Sequence, residues 1–157
     1  MAALFAQARD EEIDSPFRNL SPSIHGILHR HARGPGLLYR VAVNRRESRV
    51  VITNGRGKWL GALAVLVENR QRIDQAFAYA DLPQALEWPE QVTAGCWAIR
   101  YTVDINYQDE ANPTRMRELN RASAQMKSVF EPYLQQLDPA LEEGVSELSD
   151  NVADIEH

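Results

Sequence analysis

The sequence predicts an α+β fold: an antiparallel sheet with two amphipathic helices packed on one face, a two-layer sandwich. Three observations carry this. Residues 96 to 107 alternate as a half-buried strand does, with Trp97, Ile99, Tyr101, Val103 and Ile105 on one side and Ala98, Arg100, Thr102 and Asp104 on the other. Leu60, Leu63, Leu66, Val67, Ile73 and Phe77 make one helical stripe, and Met116, Leu119, Met126, Val129, Phe130 and Tyr133 make another. At 157 residues, 44% of them hydrophobic, the chain supports a single core. It divides into a polar N-terminal segment (1–19), one α+β domain (20–137) and an acidic C-terminal tail (138–157).

Taken in order, residues 1–16 are polar and acidic and stop at Pro16. Between Leu20 and Gly36 the pattern is irregular, and Gly34-Pro-Gly36 is a break. Leu38–Val43 reads as a strand with Tyr39, Val41 and Val43 on one face. Arg49–Thr53 is β-branched, and the five residues between them make a hairpin loop. Asn54-Gly-Arg-Gly57 ends that strand, and the first helix runs on to Phe77. Pro83 and Pro89 punctuate a connector in which Leu86-Glu-Trp88 forms a brief strand. After the long strand, Asn112 is a suitable N-cap and Pro113 a suitable first residue for the last helix. Pro132 should kink or end that helix near Glu131.

Charge is distributed unevenly. From Arg18 to Lys58 the chain carries nine basic residues and one acid, Glu47, within a net charge of -5 overall. Segregation of this size marks a surface for an anionic partner. Beyond Leu137 the tail holds seven acids and no Lys or Arg, and it reads as a solvated appendage or as an internal competitor for the basic segment. Cys96 is alone, which excludes an internal disulfide and fits a reducing bacterial cytoplasm; it is expected as a small buried hydrophobe. No signal-peptide pattern opens the sequence and no apolar run reaches the length of a membrane span.

Four groups of residues invite a chemical reading. His25, His29 and His31 have metal-ligand spacing if helical, but no acid or cysteine completes the set, so no metal is expected. Asn54-Gly-Arg-Gly-Lys58 resembles a phosphate cradle without being a Walker A loop, since Ile52 and Trp59 stand where glycine and Ser or Thr are needed. Asp104, Asp109 and Glu110 would suit a metal-dependent nuclease only with a neighbouring lysine, and no strand carries Glu-x-Lys. No serine sits in a Gly-x-Ser-x-Gly elbow. Trp59, Trp88 and Trp97 occupy core or core-edge positions. No catalytic residues and no cofactor are therefore expected.

The run Ser15-Pro-Phe17, Asn19-Leu-Ser-Pro-Ser23, Gly36-Leu-Leu-Tyr39, Arg49-Val-Val-Ile52, Leu63-x-x-Leu66, Arg70-x-x-Ile73-Asp-x-x-Phe77, Leu86-Glu-Trp88, Ile99-Arg-Tyr101, Tyr107-x-Asp-Glu110 and Val129-Phe130 resembles the bacterial domain-of-unknown-function family numbered 4268. Members are bacterial or phage-linked, often attached behind a restriction-type nuclease domain and sometimes standing alone. The resemblance implies no catalytic residues. The chain differs from the family pattern at His25–Arg33 and at Gly55–Lys58, and both differences add positive charge.

The expected function is a non-enzymatic binding module, nucleic-acid- or defence-associated, contacting DNA or RNA phosphates with Arg40, Arg45, Arg46, Arg49, Arg56 and Lys58. The alternative is a protein-interaction or assembly module, a homodimer or an inhibitory or accessory subunit, with no nucleic-acid binding. Both place the chain in the cytoplasm with no membrane partner.

Overall fold

Among the described residues, four strands form one antiparallel sheet in simple sequential order: β1 (Ile27–His31), β2 (Leu38–Val43), β3 (Ser48–Thr53) and β4 (Ala98–Val103). The computed structural model describes residues 27–33, 36–43, 47–55, 57–92, 95–103 and 113–143. Between β3 and β4 come two short helices, α1 (Ala62–Glu68) and α2 (Arg70–Ala78). The long α3 (Pro113–Gln135) and a 3-10 turn (Pro139–Glu143) follow β4. The predicted N-cap Asn112 lies outside the described residues, as do the N-terminal segment 1–19 and tail residues 144–157.

The period-two patterns settle which sheet face is dry. Tyr39 and Val41, Val50 and Ile52, and Ile99, Tyr101 and Val103 are all buried on the core side. Ile73 and Phe77 of α2 and Met116, Leu119, Ala122, Met126, Phe130 and Leu134 of α3 pack into the same core. The Phe77 and Tyr101 rings sit 5.6 Å apart, centroid to centroid. Both helices therefore lie on one side, the predicted α+β arrangement. No helix among the described residues is long and apolar enough to cross a membrane.

Four local expectations change. The irregular stretch after Leu20 contains a strand, because β1 pairs with β2 from Ile27↔Ala42 to His31↔Leu38. Backbone pairing, rather than its own alternation, makes it a strand. The first helix breaks at Asn69, whose Nδ2 donates to the Val65 carbonyl at 2.9 Å, so its side chain competes for helical backbone. Val67 is left 45% exposed instead of in the stripe. Pro132 does not end α3, which continues to Gln135. Buried Phe130, Leu134 and Leu137 anchor that last stretch, and at the helix end the Leu134 carbonyl accepts from both the Leu137 N–H and the Arg33 guanidinium. Cys96 is exposed, because the alternation that buries Trp97 turns its neighbour the other way.

One core residue carries a defect. The Tyr39 hydroxyl is buried and has no hydrogen-bond partner among the described residues. Burial, aided by the negative charge of Glu131, pushes its phenol above the ordinary tyrosine range. An orphaned buried hydroxyl costs about 1–3 kcal/mol, so Tyr39→Phe should stabilise the fold by about 1 kcal/mol in urea titrations near neutral pH. The pH dependence has a definite sign. Above about pH 10 the unfolded phenol loses its proton while the folded one keeps it, so the unfolded state binds fewer protons and stability falls as pH rises. Tyr39→Phe should remove up to about 1.4 kcal/mol of that loss per pH unit. Equal alkaline slopes in the two proteins would refute this.

Candidate functional site

The sheet face turned away from the helices is built by the complementary parity. Register places Arg40 beside Val51 and Val51 beside Arg100, and in the next row Ala42 beside Arg49 and Arg49 beside Thr102. Since neighbouring strands are about 4.8 Å apart, Arg40 and Arg100 straddle Val51 with their Cα atoms about 10 Å apart. Arg49 completes a triangle one row away. Between them lies a shallow concavity of about 270 Å³ lined by Arg40, Ala42, Arg49, Val51, Ala98 and Arg100. Small side chains make its floor. Val51 is only 6% exposed, consistent with arginine stems lying over it.

The three guanidiniums differ in their company. Arg40 is exposed, and its guanidinium makes no hydrogen bond or ion pair among the described residues. Arg49 donates to Glu47 Oε1 from Nε at 2.7 Å, and its Nη2 reaches the same oxygen. Arg100 Nε lies 3.5 Å from Glu87 Oε2. Both pairs keep a third to a half of each side chain exposed. Ion pairs at that exposure are worth about 0–1 kcal/mol, because water screens them and ordering long side chains opposes them.

Two pieces of backbone hold this geometry. Thr53 and Asn54 clasp the start of β4: Thr53 Oγ1 donates to the Trp97 carbonyl at 2.6 Å. Asn54 Nδ2 donates to the Gly95 carbonyl at 2.8 Å, and Asn54 Oδ1 accepts from the Trp97 N–H at 2.9 Å. That clasp sets the β3–β4 register and so puts Arg100 beside Val51. The connector after α2 supplies Glu87, whose N–H and C=O both bond Arg100, at 2.7 and 3.0 Å. The brief strand expected at Leu86–Trp88 is thus a single bridge. Its flanks are anchored: Leu86 is buried, and Trp88 Nε1 donates to Asp74 Oδ1 at 2.8 Å beneath the Arg70 guanidinium.

Of the six basic residues singled out in the sequence, Arg40 and Arg49 come together in this concavity. Lys58 does not line it. It sits in the turn after β3 with its stem against Gly36. Arg45, Arg46 and Arg56 lie outside the described residues. Arg100 belongs to the cluster but stands far from the 18–58 window in which charge was counted. The signal for it was the wet-side parity it shares with Ala98 and Thr102.

Other candidates lose their geometry. His29 and His31 are strand residues, so the helical spacing that would pair His29 with His25 does not arise; His25 itself lies outside the described residues. Among the described residues no three His, Cys, Asp or Glu side chains gather as a metal site requires. Asp104, Asp109 and Glu110 are outside them. The loop from Asn54 is a tight turn with positive φ at Gly55, Gly57 and Trp59. Trp59 and Trp97 are buried and Trp88 packs at the core edge, the positions read from the sequence. The chain matches no family model, no curated protein and no solved structure.

Proposed function

We propose that this chain is a non-enzymatic binding module that takes a polyanion, DNA or RNA, on the open face of its sheet. The observation that carries the reading is the arginine triangle, Arg40, Arg49 and Arg100, set by three adjacent strands around a small-residue floor with Arg40 unpaired among the described residues. Phosphates suit such a bed because guanidiniums make charge-assisted, often bidentate, bonds to them. The basic surplus of residues 18–58 offers Arg45, Arg46, Arg56 and Lys58 as further candidate phosphate contacts. The resemblance to family 4268, with its nuclease-linked members, supports nucleic acid as the polyanion, a defence-associated role and a bacterial cytoplasmic setting.

Gel-shift titrations with single-stranded DNA, duplex DNA and RNA at two salt concentrations test this. The three arginines of the triangle predict an affinity that falls with log salt at a slope of at least about 2–3, from about 0.9 per contact on duplex and about 0.7 on single strands, and each further contact steepens it. No retention of any probe at low salt ends the proposal.

One observation favours the second reading, a protein-interaction or assembly module. Two of the three arginines already hold carboxylates, as they would on an acidic protein surface or a second copy. A dimer in light scattering, together with no retention of nucleic acid, selects it.

A further inference from the structure

The open face carries three arginines and, at its rim, the two carboxylates that occupy two of them. Resting on the polyanion reading, we infer that Glu47 and Glu87 are built-in competitors. Each holds its arginine until a phosphate displaces it, and together they lower the affinity of the face.

Four features carry this. Both pairs are too exposed to add much to stability, so their main consequence is the charge the face presents. Glu87 is delivered by the fold rather than drawn in by Arg100: its backbone bridges Arg100 on both hydrogen bonds, between buried Leu86 and anchored Trp88. Glu47 is the one acid among the nine basic residues of the 18–58 segment, and it lies two residues from Arg49. Arg40, without such a partner among the described residues, is left as the first contact for an incoming anion. Exchange then follows from the strength of the bonds. A weak, half-solvated carboxylate pair gives way to a phosphate held by neighbouring guanidiniums at once, whereas a single monoanion gains too little to displace it.

The test uses the full chain and Glu47→Gln, Glu87→Gln and the double variant, since glutamine keeps the size and removes the charge. Fluorescence anisotropy is read with labelled single-stranded and duplex DNA at two salt concentrations, beside thermal melts. Each substitution should tighten binding about two- to fivefold at both salt concentrations, because no carboxylate has to be displaced, and should leave the salt slope near that of the unsubstituted chain, since the same arginines meet phosphate in both. Melting temperatures should stay within a few degrees. If the unsubstituted chain binds, and the variants bind with unchanged affinity, the competitor role is overturned and the polyanion face stands. If the unsubstituted chain retains no probe at low salt, the face itself fails and the inference with it.

Discussion

Reversing Arg40 and Arg100 together, R40E with R100E, is expected to weaken polyanion binding about a hundredfold or more. Each guanidinium–phosphate bond contributes about 1.5–3 kcal/mol, and the loss of two at about 1.4 kcal/mol per decade reaches that factor before repulsion is counted. The fold should tolerate the change, because both side chains lie on the solvent face and neither is buried. Arg72→Glu is the matched control. It alters net charge in the same direction per residue from an exposed position on α2, in the helical layer, and should leave affinity within about twofold at moderate salt, where charges more than about 10 Å apart are screened. Anisotropy titrations of the double variant and the control, at equal ionic strength, check this. If Arg72→Glu weakens binding as much as the double reversal, the effect is one of overall charge and the arginine triangle has no special role.

Asn54→Ala should produce the largest loss of stability among these substitutions, about 2–4 kcal/mol. Asn54 is fully buried, and its side chain satisfies both the Gly95 carbonyl and the N–H of Trp97. Alanine leaves those two groups unpaired in a poorly hydrated place, which is the expensive way to lose a hydrogen bond. Urea titration measures it. Asn54→Asp keeps an acceptor for Trp97 but sets a carboxylate oxygen against the Gly95 carbonyl, so it should rescue only part of the loss. A penalty below about 1 kcal/mol for alanine would mean that water replaces the amide without difficulty. The consequence reaches function, because this clasp sets the β3–β4 register that brings Arg100 beside Val51.

How much of this was legible varies with the range of the interaction. The alternation in β2, β3 and β4 named the dry face, and the spacing of Ile73, Phe77, Met116, Leu119 and Phe130 named the helices that cover it. All of these are buried. The same alternation carried the wet face as well, so Arg100 was readable by parity although a sliding count of charge missed it. β1 was not readable. Ile27-Leu-His-Arg-His31 has no apolar-polar rhythm and is a strand because β2 offers it a backbone edge. The break at Asn69 and the passage of α3 through Pro132 were hidden for a related reason: local rules name the weak points of a helix, and tertiary packing decides whether they yield.

The amino-acid order alone determined the fold class, the side of the sheet that is buried and the presence of a strongly basic segment, since periodicity and charge are properties of neighbouring residues. Tertiary structure decided which basic side chains share a surface and which of them already hold an acid. Arg40, Arg49 and Arg100 meet through strand register, and Glu87 reaches Arg100 through a connector bridged to β4. Coulombic partnership depends on distance in space, and the chain separates these groups in sequence before the sheet draws them together.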